Sequence, residues 1–135
     1  MEAPVAGSVI LAGLLLKLGG YGYIRMLLNL FPEATSYYSP FMILLGIIAI
    51  LYGSLITLRQ TDMKRLIAYS SIAHMGVVTV GIFTGTMEGI EGAIYLMIAH
   101  GLVSSGLFIT VTMIYDRHHT RLIKYYRGLT TTMPL

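Results

Sequence analysis

A chain of 135 residues could form one compact soluble domain, but 56% hydrophobic against 11% charged residues does not suit a water-facing surface, which needs about a quarter of its residues charged. Zero cysteine excludes a disulfide framework, an iron–sulfur cluster and a thiolate metal site within the chain, and the scattered glycines and prolines, with no internal repeat, exclude a collagen-like or low-complexity chain. The formal net charge of +3 comes from basic residues in short loops and a tail beside apolar runs, so anionic lipid or a partner subunit is the expected neighbour, not nucleic acid.

The N-terminal Met1-Glu2-Ala3-Pro4 lacks the basic region of a signal peptide, so the first apolar run is expected to belong to the protein. That run, Val5 to Leu28, is long enough to cross roughly 30 Å of hydrocarbon, which takes about 20 residues in a helix. Lys17 sits inside it, roughly 22 Å from Glu2 and roughly 12 Å from Arg25 along a helix axis. Such a position is too deep for an anchor at a helix end, and a charge there costs about 2.5–3.5 kcal/mol even on the lenient insertion scale. The surrounding bundle is therefore expected to supply water or a counter-charge. Gly19-Gly20-Tyr21-Gly22 also lies inside the run and lacks the lysine and hydroxyl residue of a phosphate-binding loop; it predicts close helix packing or a local bend.

Phe31 to Pro40 combines prolines, small polar residues and the interfacial tyrosines Tyr37 and Tyr38, and predicts a break between spans. A second run extends from Phe41 to Leu58 and a third from Leu66 to Phe83, separated by the charged stretch Arg59 to Arg65. Thr61-Asp62 predicts an N-cap for the third helix, with the aspartate also favourable at a helix start. The polar Thr84 to Gly89 precedes a fourth run, Ile90 to Tyr115. Beyond it, a basic and partly amphipathic stretch from Asp116 to Gly128 predicts a segment lying at the interface, within a tail that ends at Leu135.

The fold class that follows is all-α: a polytopic membrane protein with four transmembrane helices in a single segment over residues 1–135. A soluble helical bundle would need polar faces that these runs lack, and no stretch alternates with the period of two that a β-barrel requires. Because spans alternate in direction, Arg59, Lys64, Arg65, Arg117, Arg121, Lys124 and Arg127 share one side, while Arg25 faces Glu33, Glu88 and Glu91 on the other. By the positive-inside rule both chain ends then lie on the cytoplasmic or matrix side.

Two further titratable groups reach the depth of Lys17. His74 is roughly 15 Å past Lys64, and His100 roughly 14 Å past Glu91 from the opposite side. Lysine and histidine in such a setting can gain and lose a proton near neutral pH, and a row of them bridged by water is what proton transfer within a membrane requires. Hydroxyls stand one turn away: Tyr21 from Lys17, Ser70 and Ser71 from His74, and Ser104 from His100. Serines also hold membrane helices together, and a single histidine is often only a packed, hydrogen-bonded side chain. His118-His119 reads as a solvated pair, since adjacent helical residues diverge by about 100° and no ligand cluster joins them. No nucleophile, carboxylate pair or metal site for substrate chemistry is seen.

Four motifs carry a resemblance. They are Glu2-Ala3-Pro4-Val5-Ala6-Gly7-Ser8; Leu11-Ala12-Gly13-Leu14-Leu15-Leu16-Lys17-Leu18-Gly19-Gly20-Tyr21-Gly22; Arg59-Gln60-Thr61-Asp62-Met63-Lys64-Arg65-Leu66-Ile67-Ala68-Tyr69-Ser70-Ser71 with Ala73-His74-Met75-Gly76; and Met97-Ile98-Ala99-His100-Gly101-Leu102. In this order they resemble the antiporter-like subunit 4 family of mitochondrial NADH:ubiquinone oxidoreductase, respiratory complex I. That family has fourteen transmembrane helices, and this chain is similar to helices 8 to 11. The resemblance implies that Lys17 is the central lysine of helix 8, and that His74 and His100 are the polar residues of helices 10 and 11. It also implies that the basic side is the mitochondrial matrix. FMN, iron–sulfur clusters and ubiquinone are expected in other subunits, whose NADH oxidation would be coupled to proton pumping through this one. The family's glutamate of helix 5, lysine of helix 7 and charged residue of helix 12 fall outside the sequence, which is expected to be a split-gene product or part of a longer chain. A cation/proton antiporter subunit, or a helix bundle needed only for assembly, are the alternative expectations.

Overall fold

The computed structural model describes residues 4–126; expectations that rest on Met1, Glu2 and Ala3, or on the tail from Arg127 to Leu135, lie outside the described residues. Within them the chain is all-α, with four helices long and apolar enough to cross a membrane: α1 (Ala6–Leu30), α2 (Pro32–Leu58), α3 (Met63–Phe83) and α4 (Met87–His118). Short connections make sequential neighbours antiparallel.

Helix α1 is not uniform. Its α-helical turns are interrupted by π-helical turns at Leu11–Leu15 and Tyr23–Leu27, each of which widens the helix and displaces carbonyls from the regular ladder. The two distortions bracket the Gly19-Gly20-Tyr21-Gly22 run, which itself stays α-helical. Gly20 is the member that packs closely, against the Met97 sulfur of α4; Gly19 and Gly22 face open space.

The expected break over Phe31 to Pro40 is corrected by the structure. Only Phe31 leaves helical geometry, at φ −132° and ψ 60°, and Pro32 opens α2 as its first residue. Proline suits that position because its missing N–H would have no helical partner there, and Glu33 in the first turn complements the helix dipole. Pro40 is accommodated inside the helix. At 27 residues α2 exceeds what the hydrocarbon needs, so its first turns carry the exposed Tyr37 and Tyr38, stacked edge to face at 5.1 Å, into the interfacial layer.

Asp62 does occupy the N-cap position of α3, but its side chain makes no capping hydrogen bond. Its carboxylate is instead 3.2 Å from Arg65 in an ion pair one turn into the helix. A working cap appears at α4, where the Gly89 N–H donates to Thr86 Oγ1 at 3.2 Å. At the far end of α3, the Ser39 hydroxyl of α2 donates to the Phe83 carbonyl at 2.7 Å, satisfying one of the acceptors a helix C-terminus leaves open.

Helix α3 packs between α2 and α4, and α1 lies mainly against α4. The α2–α3 contact is closest at Gly46 and Gly76: a methyl group at Gly76 would stand 2.9 Å from the Gly46 carbonyl oxygen, so neither position has room for a side chain. Buried apolar residues form two layers. Val78, Ile82 and Phe83 of α3 meet Ala93 and Met97 of α4, with Tyr23 and Ile24 of α1 packed on them, toward the acidic side. Ala12, Ile67 and Phe108 bring α1, α3 and α4 together toward the basic side. Leu14, Tyr95 and Leu102, at 67%, 77% and 72% exposure, exemplify the outward apolar surface that suits lipid or further helices.

The stretch after Tyr115 has two parts. Asp116 to His118 complete α4, and His119 ends it in the left-handed region at φ 52°. The chain then turns back on the α2–α3 connection: Asp62 and Leu122 form an antiparallel bridge, with Met63 N–H donating to the Arg121 carbonyl and Ile123 N–H to the Thr61 carbonyl, both at 3.0 Å. A 3₁₀ turn, Ile123–Tyr126, follows, and the Tyr126 hydroxyl donates to the Thr120 carbonyl. Arg121 lies over the Tyr115 ring at 4.8 Å. Backbone donors that would face the interface unpaired are instead satisfied by the neighbouring loop.

Candidate functional site

Lys17, His74 and His100 occupy the layer between the two apolar clusters. Their convergence starts from two glycines: Gly13 of α1 and Gly101 of α4 bring the backbones so close that a methyl group on Gly101 would stand 3.3 Å from the Gly13 carbonyl oxygen and 3.6 Å from Lys17 Cε. This close crossing follows the small-residue rule for membrane helix contacts, and it sets Lys17 beside His100.

The lysine side chain runs back toward the N-terminus of its helix, as helical side chains do. Its Nζ donates to the Ala12 carbonyl, in the π-helical turn Leu11–Leu15, and lies 2.7 Å from His100 Nδ1. The contact holds one proton between two nitrogens. Either an ammonium donates to Nδ1 of a neutral ring protonated at Nε2, or an imidazolium donates from Nδ1 to a free amine. Passing from one state to the other moves the proton along a hydrogen bond already formed. His100 is buried at 9% exposure, and its ring is 5.6 Å from that of His74, tilted by 56°. The three groups thus form a sequence from α1 through α4 to α3. His74, at its outer end, is exposed on the surface of the four helices.

The supporting hydroxyls divide. Tyr21 is 58% exposed and does not join the site, because Lys17 extends the opposite way along α1. Ser70 and Ser71 donate to the Ile67 carbonyl at 2.7 and 3.1 Å, a backbone attachment common for serine in helices. Ser104 is buried, and its hydroxyl has no hydrogen-bond partner among the described residues. All three serines line, with both histidines, a cavity of about 200 Å³ between α3 and α4.

Sequence reasoning missed the Ala12 carbonyl and the Gly13–Gly101 crossing. Small residues at matching depth in two apolar runs were the available signal for the crossing; nothing in residue type marks a backbone carbonyl within a π-helical turn as the partner of a lysine. Among the described residues no group of three or more histidine, cysteine, aspartate or glutamate side chains could hold a metal ion. His118 and His119 are exposed at the end of α4, facing the Tyr126 and Tyr115 rings respectively.

Comparison with known proteins adds the wider context. The family model described as NADH:quinone oxidoreductase/Mrp antiporter, transmembrane, matches residues 1–135. The chain is 66% identical over all 135 residues to NADH-ubiquinone oxidoreductase chain 4 of Metridium senile, of which it covers 28%. It is 55% identical to NADH-quinone oxidoreductase subunit M of Rickettsia prowazekii, with 100% of this chain and 28% of that protein covered. Among solved structures, respiratory complex I from Thermus thermophilus with bound NADH superposes with a TM-score of 0.84 at 36% identity, covering 87% of this chain and 25% of that one. The chain therefore spans little more than a quarter of the length of these relatives.

Proposed function

Because the chain belongs to the NADH:quinone oxidoreductase/Mrp antiporter transmembrane family, we propose that it forms part of a proton-translocating subunit in the membrane arm of respiratory complex I. Lys17, His100 and His74 carry protons at mid-membrane, and NADH oxidation by ubiquinone is performed by other subunits that hold FMN and iron–sulfur clusters. The observation that carries this reading is the 2.7 Å contact between Lys17 Nζ and His100 Nδ1, which joins two titratable groups in the apolar interior where only a functional or well-compensated charge persists. The relay extends through further helices of the same subunit, which supply the carboxylate and lysine partners that this stretch lacks. The basic face lies toward the mitochondrial matrix, in the inner membrane, by the positive-inside rule.

The test is Lys17→Ala in the assembled complex, with protons pumped per electron measured beside NADH oxidation. Loss of pumping with assembly intact is the expected outcome; unchanged pumping would leave only an assembly role for these helices. The family's description also names antiporters, and that reading differs in its partners: sodium-dependent transport by a preparation free of flavin and iron–sulfur proteins would replace the redox assignment.

A further inference from the structure

Between α1, α2 and α3, with Phe108 of α4 at its back, lies a larger opening: a cleft of about 610 Å³. It exists because α1 packs mainly against α4 and meets α2 chiefly at its last turn, Leu28–Leu30, so that α1 and α2 diverge from the Phe31 connection toward the basic side. On α3 the cleft runs from Lys64 to Thr79, roughly 22 Å along a helix axis. At its acidic end Tyr23 and Met42 line it, and both pack on the buried cluster of Val78, Ile82 and Phe83, which closes it there.

The walls of the cleft suit hydrocarbon. Leu45, Ile72, Met75 and Phe108 line it, and the hydroxyls of Ser8, Ser71 and Thr79 donate to backbone carbonyls one turn earlier, those of Pro4, Ile67 and Gly76. Water finds few partners in such a space. Half of a bilayer, headgroup layer included, is roughly 20–22 Å thick, which is the length of the cleft. A spanning helix needs roughly 30 Å of length and a diameter of about 10–12 Å; a cleft closed by Tyr23 and Met42 takes an acyl chain instead. Its mouth is cationic. Lys64 is the one charged side chain among the described residues that line it. The bond from Met63 N–H to the Arg121 carbonyl holds Arg121 alongside, near enough for the two charges to repel. Both cations are half-buried, and Asp62, the acid nearest them in sequence, is engaged by Arg65. An anion shared by Lys64 and Arg121 relieves their repulsion.

We propose that the cleft binds one anionic phospholipid of the basic-side leaflet, with its phosphate between Lys64 and Arg121 and one acyl chain between α1, α2 and α3, reaching to Tyr23 and Met42. The lipid is a structural ligand, separate from the proton-carrying residues: it fills the space that α1 leaves beside α2, while the Lys17–His100 contact lies on the side of α1 that faces α4.

Photolabelling tests this. The assembled complex is reconstituted in phosphatidylcholine nanodiscs that contain a phosphatidylglycerol bearing a diazirine at the end of one acyl chain; a parallel preparation carries the same diazirine chain on phosphatidylcholine. After irradiation, labelled positions in this chain are mapped by mass spectrometry. Phosphatidylglycerol is expected to label the cleft walls around Met42, Leu45 and Met75 at least about fivefold more than phosphatidylcholine does. Equal labelling by the two lipids overturns the headgroup assignment, and no label within the cleft means that protein fills it and overturns the proposal outright; neither outcome needs a variant to fold. In variants, Lys64→Gln combined with Arg121→Gln is expected to abolish the preference for phosphatidylglycerol, whereas Arg59→Gln, a basic-side charge that does not line the cleft, preserves it. Ala49→Phe fills the cleft without changing charge and is expected to lower labelling by both lipids, with thermal unfolding of the same preparation showing that the complex is assembled. A preference that survives the double substitution, or labelling undiminished in an assembled Ala49→Phe complex, also overturns the site.

Discussion

Lys17 Nζ and His100 Nδ1, 83 residues apart in sequence, meet at 2.7 Å across the α1–α4 crossing. Two groups that share one proton act as a unit, so their removal should not be additive. Lys17→Met and His100→Gln are each expected to lower protons pumped per electron by about tenfold, and the double variant by little more than either single one. A double variant whose defect is the product of the two singles would mean that the contact has no functional coupling.

The crossing itself depends on glycine. Gly101→Val places a branched side chain against the Gly13 carbonyl and the Lys17 stem, and overpacking of this kind costs about 1–3 kcal/mol. Gly101→Ala, whose methyl group would stand 3.3 Å from the Gly13 carbonyl oxygen and 3.6 Å from Lys17 Cε, asks the crossing to give by only a few tenths of an ångström and is expected to assemble and pump with a modest defect. Gly101→Val is expected to lower the melting temperature of the complex and uncouple the pair together. The paired measurement is thermal unfolding and pumping on the same preparation, and a Gly101→Val complex as stable and as well coupled as the native one would contradict the role given to close approach.

How much of this was legible beforehand divides along physical lines. The spans could be read because crossing hydrocarbon demands long apolar runs whatever the tertiary structure, and Lys17, His74 and His100 stood out because charge is costly there. Their relative placement could not be read: spacing along a helix gives depth, while the crossing of α1 on α4 and the backward reach of Lys17 decide which neighbours meet. Periodicity places Tyr21 one turn from Lys17, but the lysine reaches the other way to the Ala12 carbonyl and Tyr21 stays outside the site. Phe31 to Pro40 differs for another reason: Pro32 suits a first turn and Pro40 is carried inside the helix, and composition alone does not separate such prolines from those that end a helix. The return of the chain onto the α2–α3 connection rests on backbone pairing that side chains do not encode.

At α4 the hydroxyl of Thr86 caps the helix start through the Gly89 N–H. Thr86→Ala is expected to destabilise by about 1 kcal/mol, seen as a small drop in the melting temperature of the assembled complex with pumping unchanged; Thr86→Ser should recover most of it. The Asp62–Arg65 pair, with the arginine 57% exposed, is worth far less, and Asp62→Asn is expected to shift stability by under about 1 kcal/mol.

The contact of the C-terminal stretch with the α2–α3 connection is testable by backbone chemistry. Ile123→Pro removes the N–H that donates to the Thr61 carbonyl and leaves the ring no substitute donor. Limited trypsin treatment from the basic side should then cut faster at Arg121 and Lys124, while α4 stays intact; equal cleavage rates in native and variant chains would show that the pairing is not held in the membrane.

That same pairing has a mechanical meaning. Residues 121–123 are tied by backbone hydrogen bonds to residues 61–63, so the exit of α4 and the entrance of α3 form one rigid joint. Tension applied to the chain beyond Tyr126 pulls first on this joint, and through it on the end of α4 and the start of α3, the two helices that carry the histidines, so that a displacement at one end of the bundle is delivered to both together.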